Sequence, residues 1–222
     1  MATPRSTALR QGLARRVPWR LKRAVAPLVP DRLMLRVSPP RPLLLAARLD
    51  GLSGVEIGGS AHNDYGLDVI NVDRWGGEDT VYKAEELRRA GATRAVDVVA
   101  RGDELPFADG SYDFVFASHV IEHFPDPVGA LREWVRVARR YVLLVVPHRD
   151  RTFDAGRPLT GADELIARHE SGFSSEEDRH WSVWTCESFV ELCRRLDLRV
   201  LDWEDPDSRE GNGFAVLIDA GA

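Results

Sequence analysis

Cysteine is almost absent from this chain of 222 residues, which holds only Cys186 and Cys193. They fall in a segment with helical spacing that sets them about two turns, or ~10 Å, apart, beyond disulfide reach. That excludes a cystine-stapled secreted scaffold and fits a reducing cytoplasm. Long apolar runs are missing too. Residues 43–47 and 141–147 are the longest, far short of the roughly 20 residues that a membrane-crossing helix needs. Acid is missing from one end: Asp31 is the only acidic residue in residues 1–48. The arginines there interrupt any apolar stretch and argue against a signal peptide, whereas an arginine-rich, acid-poor organellar transit peptide fits the same composition.

What is present points to one core. At 44% hydrophobic and 29% charged, the chain is long enough for a single substantial domain with extensions. The net charge of −5 divides into +10 over residues 1–48 and −15 over residues 49–222. In the arm, Leu13, Val17, Leu21 and Val25 recur every fourth position among arginines, the pattern of a basic amphipathic helix, kinked at Pro18. Such an arm can lie on the acidic body of its own chain or of a twin subunit in a homodimer. An anionic membrane surface is the next option, giving a peripheral location, and nucleic acid the last. Pro39, Pro40 and Pro42 mark a linker, so residues 1–48 read as arm and linker and residues 49–222 as the domain.

From residue 49 strands and helices alternate. Strands are expected at 55–57, 68–72, 95–100, 112–117 and 141–146, and helices at 80–90 and 127–140, with Pro127 suited to a first helical turn. Alternation of this kind implies right-handed crossovers and an α/β fold built on a doubly wound, mostly parallel, Rossmann-like sheet. A helix over 185–196, a strand over 198–202 and a last strand over 214–218 close it with an antiparallel hairpin. In open α/β sheets ligands bind beyond the carboxyl ends of the strands. Those ends carry the polar residues here. Gly58, Gly59 and Ser60 follow the first strand, where missing side chains let a ligand approach the backbone, although a tight structural turn would also use these glycines. Asp73 ends the second strand and can accept both hydroxyls of a ribose. Asp103, after the third, can accept from an exocyclic adenine amine while Leu105 packs the ring; alone, it would read as a solvated loop acid. Residues 148–183 are longer than a connection requires and read as a lid over an acceptor.

The segments Gly102-Asp103-Glu104-Leu105-Pro106-Phe107 and Ser111 to His123, together with Glu56-Ile57-Gly58-Gly59-Ser60, resemble motifs of the class I S-adenosyl-L-methionine (SAM) dependent methyltransferases. The resemblance covers roughly residues 49–147. It is closest to the branch whose first motif reads E-I-G-G-S, the type 11-like domain. It implies a SAM site made of Glu56, Gly58, Gly59 and Ser60 near the methionine end, Asp73 on the ribose, Asp103, Glu104 and Leu105 at the adenine, and Ser118 at the fourth strand's exit. It further implies methyl transfer to an oxygen or nitrogen of a small-molecule or saccharide acceptor. Direct displacement at the activated sulfonium leaves the protein to align the reactants and exclude water.

His119, Glu122 and His123 spell the H-x-x-E-H string of a metallopeptidase helix, but here they follow a buried strand and stop at Pro125. Residues at i, i+3 and i+4 share a face, and His148 leaves the fifth strand at the same sheet edge. His119, Glu122, His123 and His148 thus form a candidate divalent-metal site, similar to the E-x-x-E-H site of ubiquinone-pathway O-methyltransferases and, through the downstream histidine, to small-RNA 2′-O-methyltransferases. Many methyltransferases carry the E-H pair as packing alone. His148 or His119 is otherwise a metal-free general base, because imidazole titrates near neutral pH. Two rivals remain: a catalytically idle SAM-binding module, and a nicotinamide oxidoreductase, whose three-glycine fingerprint Ser60 spoils.

Overall fold

In the computed structural model, residues 42–59, 65–77 and 79–221 are described. The basic arm and Ser60 lie outside them, and so do residues 61–64 of the short crossover between the first two strands. Among the described residues seven strands form one sheet in the order β3-β2-β1-β4-β5-β7-β6. They are β1 (Ser53–Ile57), β2 (Asp68–Asp73), β3 (Val98–Val99), β4 (Tyr112–Ser118), β5 (Ala138–Pro147), β6 (Val200–Glu204) and β7 (Gly213–Asp219). The first five run parallel, and β7 is antiparallel to both β5 and β6. This is the doubly wound sheet with a closing hairpin that the alternation implies.

Period-2 alternation divides the apolar side chains between two faces. Val115 and Ala117 of β4 point, with Val142, Leu144 and Val146 of β5, into the larger cluster, under α2 (Pro127–Val137), α3 (Ala162–Glu170) and α4 (Cys186–Arg195). Phe114, Phe116, Leu143 and Val145 point the other way, toward a 3-10 turn at Leu44–Leu49. β4 and β5 are buried on both faces, which is why they read as continuous apolar runs. The body therefore begins earlier than residue 49. Leu43, Leu45, Ala46 and Leu49 are buried, and the compact unit starts at Pro42.

Local chemistry sets most element ends. The Thr80 hydroxyl caps α1 (Val81–Ala90), the Asp126 carboxylate caps α2 ahead of Pro127, and Thr185 and Ser188 form a reciprocal capping box on α4, each supplying acceptors to amides that a helix start leaves unpaired. Three expectations shift. The third strand shortens to Val98–Val99; α2 ends at Val137, and residues 138–140 join β5; and the lid contains α3, whose Leu165 is fully buried. Among the described residues no helix is long and apolar enough to cross a membrane.

One carboxylate ties the strand starts together. Asp113 accepts from the Ser53 amide at 3.2 Å and from Arg139 Nε at 2.9 Å. These contacts lower its pKa from 3.8, so its contribution is present above the unfolded value and lost as pH falls through the folded one. Asp113→Ala is expected to cost about 1 kcal/mol at neutral pH, and the deficit should vanish in acid. Urea titrations of parent and variant across pH measure it.

Candidate active site

A cleft of about 990 Å³ opens at the carboxyl ends of the parallel strands. Gly58 enters it from β1, Asp73, Arg74 and Trp75 from β2, Gly102 from beyond β3, and His119, Val120 and Glu122 to Phe124 from beyond β4; the lid adds Thr152, Phe153, Arg157 and Asp178 to His180. Gly58 sits at φ +69°, and a Cβ there would lie 2.7 Å from Val120 Cγ2. Only glycine takes that turn without strain. Asp73 takes the Trp75 amide on Oδ1 at 2.9 Å, which orients the carboxylate at the cleft wall. Gly102 is hemmed in as well: its Cβ would meet Ile57 and Phe124, while its carbonyl accepts from the Trp134 indole at 2.7 Å.

Several expected cofactor residues stand behind this wall. Glu56 is buried, with Oε2 3.3 Å from Arg94, and it supports Gly59 from beneath. Both oxygens of Asp103 are held by Arg101, at 3.0 and 2.9 Å, so the acid turns to its neighbour and does not line the cleft. Glu104 is exposed. Leu105 belongs to the core, its amide on Glu133. Ser118 is buried and shares a 2.7 Å hydrogen bond with Tyr65.

The polar end of the cleft centres on Glu122. It is 1% exposed, and neither carboxylate oxygen meets a hydrogen-bond donor from another described residue. Burial, with help from the nearby Asp154 charge, pushes its pKa up to about 8. Three imidazoles face Oε1: His119 Nδ1 at 4.0 Å, His123 Nε2 at 3.9 Å and His180 Nε2 at 3.9 Å. His123 gives its Nδ1 to Asp178 at 2.8 Å, and His180 its Nδ1 to buried Asp154 at 2.6 Å. A carboxylate only accepts, so each Nδ1 carries the proton and each Nε2 turns a lone pair toward Glu122. Carboxylate-braced imidazoles of this kind are how proteins orient metal-binding histidines. Donor atoms of Glu122, His123 and His180 lie within 4.8 Å of one another. His119 also adopts φ +55°, a left-handed conformation that is rare outside glycine and is concentrated at functional sites.

His148 is the correction. Its Nδ1 accepts from the Asp150 amide at 3.1 Å, and its ring meets Phe214 edge-on. Burial and Arg151 lower its pKa, and it is absent from the cleft lining, which includes Pro147 just before it. The place expected for His148 is filled by His180. Sequence reading saw His180 only as part of the lid, since nothing local ties it to a residue 58 positions earlier. The available signal was the recurrence of Glu176, Asp178 and His180 at every second position.

A parallel sheet closed by a reversed β7, with an acid ending β2 and a glycine turn ending β1, makes the fold Rossmann-like. Residues 53–146 match the family described as "Methyltransferase domain". Curated relatives include ajmaline N-methyltransferase of Rauvolfia serpentina, 28% identical over 117 residues, which are 48% of this chain and 38% of that protein. An uncharacterized methyltransferase of Mycolicibacterium gilvum is 35% identical over 132 residues, 57% of this chain and 49% of that one. The chain thus spans less than half the length of either relative. A solved SAM-dependent methyltransferase from Aquifex aeolicus aligns at 15% identity with a TM-score of 0.46, over 77% of this chain and 82% of the other. Residues 53–146 of this chain are thus similar to methyltransferase domains.

Proposed function

We propose that this chain transfers a methyl group from SAM to an oxygen, or a nitrogen, of a small-molecule or saccharide acceptor, with a divalent cation held by Glu122, His123 and His180. The observation that carries the reading is the fully buried Glu122 carboxylate, lacking donors from other residues yet faced by lone pairs of two carboxylate-braced imidazoles. A bare buried carboxylate is costly unless something compensates it. Imidazole and carboxylate together suit zinc, iron or manganese better than magnesium. When bound, such an ion acidifies a coordinated hydroxyl enough for attack near neutral pH.

The chain's own groups do the rest. Gly58 and Asp73 position the nucleoside end, Asp73 accepting ribose hydroxyls. His119, held at the β4 exit, stands 4.0 Å from Glu122, where it can take the acceptor proton. Phe153 and the lid exclude water. An idle binding module would have no use for an uncompensated buried acid, which favours catalysis over mere binding.

Chelation is the test. EDTA should abolish methyl transfer while leaving SAM affinity unchanged, and one re-added ion should restore activity. Full activity in chelator, with metal-free protein by elemental analysis, would sink the metal reading. Asp73→Ala should weaken SAM by about ten- to a hundredfold, the loss of a charge-assisted acceptor. Calorimetry showing parental affinity would remove Asp73 from the site.

A further inference from the structure

The lid returns to the sheet through residues 176–180, which have no regular structure and bend at Arg179, and Glu176, Asp178 and His180 reach three different partners around the cleft. Glu176 pairs with Arg74, next to Asp73, and lies 3.3 Å from Arg101, the residue that holds Asp103. Asp178 takes the Tyr82 hydroxyl of α1 on one oxygen and His123 Nδ1 on the other. His180 faces Glu122, and the next amide, from Trp181, donates to the Glu122 carbonyl at 2.7 Å.

We propose that residues 176–180 are a strap coupling the nucleoside side of the cleft to assembly of the Glu122 group, with Glu176 and Asp178 as its positioning residues. The proposal rests on the SAM-site reading above. Two features make the strap openable. Glu176 is 70% exposed, and exposed ion pairs are weak and screened by salt. Arg101 also divides its guanidinium between Asp103 and Glu176, so the strap holds only part of that cation, and Arg74, which lines the cleft beside Asp73, is the anchor that a seated nucleoside bears on. A ligand that adds contacts only in the closed state shifts the population toward it. Closure delivers His180 to Glu122 and fixes His123 through Asp178. The acceptor-activating group is then complete only when the cofactor side is filled.

Hydrogen exchange with S-adenosylhomocysteine tests this. In the parent, the ligand should slow exchange of amides 176–182 by about tenfold or more, the response of a locally opening segment. Glu176→Ala, at an exposed position, should keep the fold and still bind the ligand by calorimetry, but lose that added protection. By reciprocity its affinity should fall by the same factor as the lost protection. Tyr82→Phe, which removes the second anchor, should act in the same direction. Equal exchange with and without ligand in the parent, or parental protection in Glu176→Ala, would overturn the strap. Absence of binding heat in the parent would instead overturn the SAM reading and the strap with it, and calorimetry separates the two failures.

Discussion

Glu122→Gln is expected to abolish methyl transfer while leaving the fold intact. Glutamine keeps the shape of the side chain, so the packing around this fully buried position survives. The carboxyl group that faces His119, His123 and His180, and that can ionise to bind a cation, does not. Loss of a group that activates the acceptor costs about 10²–10⁴-fold in kcat, and the affinity for SAM, bound by other residues, should remain within about twofold of the parent, well inside the tenfold that 1.4 kcal/mol represents. The unfolding temperature should hold or rise, since the substitution removes an ionisable group that burial disfavours. Single-turnover assays, calorimetry and thermal melts separate these effects. A variant with parental kcat would show that Glu122 only packs.

Gly58→Ala is expected to cost the cofactor site nearly as much. The residue must hold φ +69°, where a Cβ carries a penalty of roughly 1–2 kcal/mol. The added methyl would also sit 2.7 Å from Val120 Cγ2. Val120 stands between the β4 exit and the Glu122 group, so relief by moving it disturbs both ends of the cleft. SAM affinity should fall by about 10²-fold, given that each 1.4 kcal/mol is tenfold. Affinity within twofold of the parent would show that the turn relaxes without touching the ligand.

The sheet was legible because its signals are local. Alternating apolar runs, Pro127 after Asp126, and polar residues at strand exits placed β1, β2, β4, β5, α2 and α4 near their observed ends. β3 was overestimated: residues 95–100 are apolar enough for a strand, but only Val98 and Val99 pair with β2. Edge pairing depends on the neighbour, which a window of sequence does not contain. The same holds for α3, a helix whose only fully buried apolar residue is Leu165.

By itself, the sequence determined the doubly wound architecture, the placement of Gly58 and Asp73 at the carboxyl ends of β1 and β2, and the grouping of His119, Glu122 and His123, because residues three and four apart must be neighbours wherever the chain turns tightly. Tertiary structure alone decided that Asp103 turns to Arg101, that Leu105 belongs to the core, and that His180 rather than His148 faces Glu122. Each of those outcomes is a competition between partners distant in the chain or a choice of side-chain direction. Only the folded backbone fixes those distances, and the solvent around a side chain, which sets its charge and orientation, exists only once the lid has been laid over the cleft.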